Sequence, residues 1–159
     1  MVLPPLLVLR TSDGDLDVES YRQHYLNNLV RTSPHTVWDG SQIKFFPEAF
    51  DHAFMRAAGP GDSTRHWDRC RLERMDWILP MLQVLQDPSV DRFVDDRHVD
   101  LRGRGARCQV IEHTTPFCVV VKPISDNEMR LVTVMCVDRS TKLGYLSAYQ
   151  RIIRSDRWE

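Results

Sequence analysis

Residues 116–138, PFCVVVKPISDNEMRLVTVMCVD, hold two runs of strand length around a polar turn. Valine recurs in both runs, joined by phenylalanine and isoleucine in the first and by threonine in the second, and these residues suit a pleated, half-buried surface. The tetrapeptide SDNE at 125–128 has the composition of a hairpin turn. This stretch decides the fold class. The segment before it, RCQVIEH at 107–113, is strand-like as well, whereas the chain up to about residue 88 reads mainly as helix. Strict alternation along the last strand sets Leu131, Thr133 and Met135 on one face, with Val132, Val134 and Cys136 on the other.

Upstream, Val18, Tyr21, Tyr25 and Leu29 recur at helical spacing and predict a helix over 17–31. The stretch before it, TSDGDLDVES, alternates Asp13, Asp15 and Asp17 in the manner of a calcium loop. Counted from Asp13, however, the sixth and twelfth positions hold Val18 and His24, where an EF-hand needs Gly and Glu. It therefore reads as a polar turn in which Asp17 or Ser12 caps the helix. A loop, TSPHTVWDGSQ, leads to a short strand, QIKFF. Pro47 then opens a helix whose apolar face is Phe50, Ala53, Phe54 and Ala57, ended by Gly59-Pro60-Gly61.

Residues 66–86 carry the strongest helical pattern, with Met75, Ile78, Leu82 and Leu85 in a stripe and Pro80 expected to kink or divide the helix. The stretch 89–105 is charged and reads as irregular. Leu143, Leu146, Tyr149 and Ile152 or Ile153 predict a closing helix over 141–154. The expected architecture is α+β: N-terminal helices on a C-terminal antiparallel sheet, with a closing C-terminal helix, all in one domain over 1–159.

The chain has 159 residues and a net charge of −1, so nothing draws it as a whole toward nucleic acid, and any such site must be a local patch. The apolar runs FCVVV and LVTVMCV fall far short of the ~20 residues of a membrane helix, and no membrane association is expected. The start, MVLPPLLVLR, has two prolines and no basic leader, unlike a signal peptide. The cysteines Cys70, Cys108, Cys118 and Cys136 form no CxxC pair, so no structural zinc is expected. Three of them alternate with apolar residues and read as buried small hydrophobes, and all four are expected to be reduced thiols of a cytoplasmic protein.

The chemistry-bearing candidates are few. His52, in FDHAF, projects away from Phe50 on its helix, with Glu48 and Arg56 on its own side. An arginine there lowers an imidazole pKa and a glutamate raises it, so an acid/base role competes with a solvated surface histidine. Arg71 and Arg74 lie three apart at the start of the next helix, with Arg65 and His66 just before them. Guanidinium forks suit phosphate oxygens, although Asp68 and Glu73 would equally make this an ordinary ion-pair face. The stretch RHVDLRGRGAR is a second basic segment, diluted by acids. Thr133 is a polar break in an apolar strand and is also a normal strand former. His113 and Thr114 read as strand-edge residues.

Taken in order, DGSQIKFFPEAFDHAF, RCRLERMDWILPMLQ and FCVVVKP…MRLVTVMCVD resemble the phage-associated branch of the BECR ribonuclease superfamily over roughly residues 38–140. The resemblance implies a BECR-like α+β fold and metal-independent RNA cleavage without a cofactor, by attack of a ribose 2′-OH on the adjacent phosphate. It implies a toxin or prophage effector with RNA as substrate and an antitoxin or immunity protein as partner. By the same resemblance His52 is the acid/base group, Arg71 or Arg74 holds phosphate and Thr133 orients it; Arg56, Arg65 and His66 are further binding candidates by their proximity alone. The alternative is a non-catalytic nucleic-acid- or protein-binding module on the same fold.

Overall fold

The structure, a computed structural model, describes residues 1–59, 61–95, 107–137 and 150–152. The first helix, α1 (Val18–Tyr25), runs on into a π-helical turn, Leu26–Val30, as the apolar spacing predicts. Asp17 is its cap: the Ser20 N–H donates to Asp17 Oδ1 at 3.0 Å, satisfying an otherwise orphaned first-turn donor. Tyr21, Tyr25 and Leu29 are buried.

Strands β1 (His35–Thr36) and β2 (Gln42–Lys44) follow, then α2 (Ala49–Phe54). Helix α2 ends sooner than its apolar spacing predicts. Met55 turns extended, and Ala57 belongs to β3 (Met55–Ala57), which pairs with β4 (Arg65–Trp67) in a two-stranded ribbon. The cause is capture of the helix-end carbonyls. Phe54 O accepts from Asp68 N at 2.8 Å and Ala53 O from Arg71 Nη1 at 3.1 Å.

The single long helix expected over 66–86 is instead β4, α3 (Arg69–Glu73), a 3₁₀ turn (Met75–Trp77) and α4 (Ile78–Gln83). Pro80 explains the division. A helix running through it would press its ring against the Asp76 carbonyl, so the break falls one turn earlier and Pro80 sits in the first turn of α4, where no N–H is needed. Leu72, Met75, Ile78 and Leu82 are buried, while Leu85, beyond the helix end, is exposed.

Among the described residues the sheet has seven strands in the order β1-β2-β8-β7-β6-β5-β9, with β5 (Val90–Asp95), β6 (Arg107–Glu112), β7 (Phe117–Ser125), β8 (Glu128–Cys136) and β9 (Gln150–Ile152). It is mixed rather than antiparallel, because the early strand β2 lies parallel to β8. Strand β5 occupies part of the stretch expected to be irregular. Two of its charges, Asp91 and Arg92, are buried and answered: Arg92 donates to Val84 O and lies 4.8 Å above the Trp38 ring, while Asp91 meets His113 Nε2 at 2.6 Å. Of the expected closing helix, residues 150–152 are strand β9, paired with β5. Its other residues, 141–149 and 153–154, lie outside the described ones.

The alternation expected along β8 is broken by a bulge. Val121 pairs with Leu131 but Val120 pairs with Thr133, so Val132 is the extra residue. Leu131 and Val134 therefore share the main core with Met129, while Thr133 and Met135 face the other way. Helices and one sheet face build that main core around Trp38, Tyr25, Phe50, Phe54 and Phe117. The opposite face carries a smaller cluster of Phe93, Ile111, Cys118 and Val120.

Helix α3 lies against β8 and brings Cys70 and Cys136 to a Cα separation of 6.3 Å, where they form a disulfide across 66 positions of sequence. This corrects the expectation that all four cysteines are reduced and that Cys136 is a buried apolar residue, since Cys136 is exposed. Cys108 and Cys118 are free and buried, as their apolar surroundings predict. Among the described residues no helix is long and apolar enough to cross a membrane.

Candidate active site

His52 is placed by the core beneath it. Phe50, Ala53 and Phe54 are fully buried, and rings of this size stabilise the fold by about 1.5–3 kcal/mol each when they leave water. Turning α2 to hide His52 would expose them, so the imidazole stays at the surface. Among the described residues it makes no hydrogen bond or ion pair. Partial burial holds its pKa below the ordinary value, and the positive charges of Arg65, Arg107, Arg71 and Arg130 lower it further.

Those four arginines come from β4, β6, α3 and β8. Arg107 and Arg130 each neighbour a core-facing residue, Cys108 and Leu131, so they stand on the opposite sheet face. Arg130 pairs with Lys122 of β7, so that this face carries cationic side chains on three adjacent strands. Thr133 stands on the same face, three residues along from Arg130, with its Oγ1 donating to Val134 O at 3.3 Å. Arg65 and Arg130 are exposed.

Arg71 has a different task. Its Nη1 donates to Ala53 O at 3.1 Å and to Met55 O at 2.9 Å, and its Nε lies 3.4 Å from Asp68 Oδ2. The last contact gives charge attraction without hydrogen-bond geometry. Arg71 thus braces the end of the helix that carries His52 and adds to the field on the imidazole.

The remaining candidates lie elsewhere. Arg56 is on β3, not on the helix of His52, and its Nε is 3.5 Å from Asp68. It pairs across the ribbon with His66, so the two share the ribbon face opposite Arg65. Arg74 donates to Cys70 O and Cys70 Sγ, both at 3.1 Å, and lies 4.9 Å from the Trp77 ring centre. With Arg56, Arg69, Trp67 and the Cys70–Cys136 disulfide it lines an open cleft of about 430 Å³.

The predicted set therefore divides. His52, Arg65 and Arg71 come together, with Thr133 on the sheet face that carries two of their arginine neighbours. Arg56 and Arg74 border the disulfide cleft. Arg107 closes the basic stretch already noted in the sequence, whereas Arg130 was missed. Its signal was a charge set between the apolar Met129 and Leu131 in a mostly apolar strand. Comparison with family models, curated proteins and solved structures finds no match for this chain.

Proposed function

We propose that the chain is a metal-independent endoribonuclease on a BECR-like fold, with His52 as its base. The observation that carries this reading is one exposed imidazole, free of partners among the described residues, in the field of arginines from four separate elements. A histidine with a lowered pKa is neutral near pH 7 and able to accept a proton. In the proposed step His52 takes the 2′-OH proton, the O2′–P bond forms and the P–O5′ bond breaks. The leaving oxygen takes its proton from water, and His52 later returns its own to solvent. The products are a 2′,3′-cyclic phosphate and a 5′-OH. Arg65 holds the phosphate oxygens as their charge grows, Arg130 adds to the field and Arg71 positions His52, whereas Thr133, on the sheet face turned away from the core that α2 packs on, takes no part in the step.

The toxin- or prophage-effector role, an antitoxin or immunity partner and action on cytoplasmic RNA rest on the sequence resemblance alone. The test uses an RNA oligonucleotide and its 2′-O-methyl counterpart in EDTA. Cleavage of the first only, with cyclic phosphate ends, supports the proposal. Cleavage of both contradicts it. Salt-sensitive binding of both without cleavage favours the alternative, a non-catalytic nucleic-acid-binding module, since phosphate contacts release counterions.

A further inference from the structure

The disulfide lies apart from the His52 cluster, and its surroundings suit chemistry rather than burial. Cys136 is exposed, Cys70 is half-buried, and both border the open cleft. The two sulfurs are not equivalent. Arg74 Nη1 donates to Cys70 Sγ at 3.1 Å, whereas Cys136 has no such contact among the described residues. The acids of the cleft are already matched: Asp68 by Arg56 and Arg71, Glu73 by Arg10 and Arg69. Arg74 has no ion pair among the described residues, so its charge remains available to a sulfur anion.

We propose that the Cys70–Cys136 disulfide is a site of reversible thiolation, opened at Cys136 by a small-molecule monothiol of the glutathione class. The monothiolate attacks Cys136 Sγ and forms a mixed disulfide there. The Cys70–Cys136 bond breaks, and its electron pair leaves on Cys70 as a thiolate held by Arg74. The two-electron balance is that of exchange: one disulfide is consumed and one is formed. Attack by the Cys70 thiolate on the mixed disulfide expels the monothiol and recloses the bond. A more stable thiolate is the better leaving group, which selects Cys136 as the sulfur attacked. The adduct removes the covalent tie between α3 and β8 while Arg71 still grips the end of α2. The inference does not depend on RNA cleavage.

The test treats the folded, oxidised chain with reduced glutathione, traps free thiols by alkylation and maps the adduct by mass spectrometry. Glutathione on Cys136 with alkylated Cys70 is expected. An adduct mainly on Cys70, or no adduct until the chain is unfolded, overturns the proposal. A second measurement uses Cys136→Ser, in which Cys70 is a single thiol, and follows its alkylation rate against pH. A Cys70 pKa below the ~8.5 of an ordinary thiol is expected, and one at or above that value overturns the proposal. Arg74→Gln in the Cys136→Ser background should raise it, and an unchanged value removes Arg74 from the account.

Discussion

The Arg71 guanidinium donates to the Met55 carbonyl at 2.9 Å, and through this bond and its neighbour at Ala53 helix α3 holds the end of the helix that presents His52. An arginine that sequence alone offers as a phosphate ligand is in the structure a brace. Its fork reaches two carbonyls at once, which a lysine ammonium on a flexible stem does poorly. Arg71→Lys should lower stability by about 2 kcal/mol, the scale of a hydrogen bond to a charged group. Urea unfolding measures this. A variant as stable as wild type would show that the brace carries little.

The lowered His52 pKa fixes a pH dependence. Protonation is disfavoured in the folded chain, so the stability that His52 contributes is fully present above its unfolded pKa and is lost as pH falls through the lower, folded one. A base of this kind makes cleavage rise with pH through a midpoint below the ordinary histidine value and then level off. Arg65→Gln should move that midpoint upward. An NMR titration of the His52 ring checks both shifts, and a folded pKa above the ordinary histidine value would contradict them.

Glu73 makes a second pH test. Burial pushes its carboxyl up, but hydrogen bonds from Arg69, at 2.8 Å, and Arg10 outweigh this and leave it below the usual range. Its contribution to stability is therefore present above the unfolded pKa and is lost as pH falls through the lowered one. Glu73→Gln should cost about 1–3 kcal/mol at pH 7 by leaving its arginines without an anion. The difference from wild type should shrink at an acidic pH where the Glu73 carboxyl of the folded chain is protonated. Parallel unfolding curves at the two pH values measure it.

The cysteine assignment predicts a labelling pattern. Burial pushes the Cys108 and Cys118 thiols far above the usual range, so neither should react with iodoacetamide in the folded chain. Unfolding without reductant should release two reactive thiols, and unfolding with reductant four. Reducing the disulfide should lower stability by about 2–4 kcal/mol, because it closes a long loop in the unfolded chain.

Local signals in the sequence placed α1 and its Asp17 cap, the hairpin of β7 and β8, and the break at Pro80. Long-range relationships were not legible. Nothing in QIKFF says that it joins β8 in parallel. The charges of Asp91 and Arg92 hid a strand because two of their partners, His113 and Trp38, are distant in sequence. The Val132 bulge reversed the expected face of Thr133, since a one-residue insertion switches every following side chain. At the site, the outward position of His52 was readable from Phe50 and Phe54. Its arginine neighbours come from four elements whose juxtaposition only the fold supplies. The Cys70–Cys136 pair was unreadable for the same reason.

The central claim is that His52 is the base of an RNA-cleaving site, and one comparison tests it most directly. Purified wild type and His52→Ala are incubated with total RNA and with tRNA in EDTA, after each is confirmed folded and free of any copurifying protein. The account predicts cleavage by wild type and a loss of roughly 10²–10⁴-fold in the variant, the usual contribution of a positioned acid or base. Intact RNA in both samples, or equal cleavage by both, would contradict it.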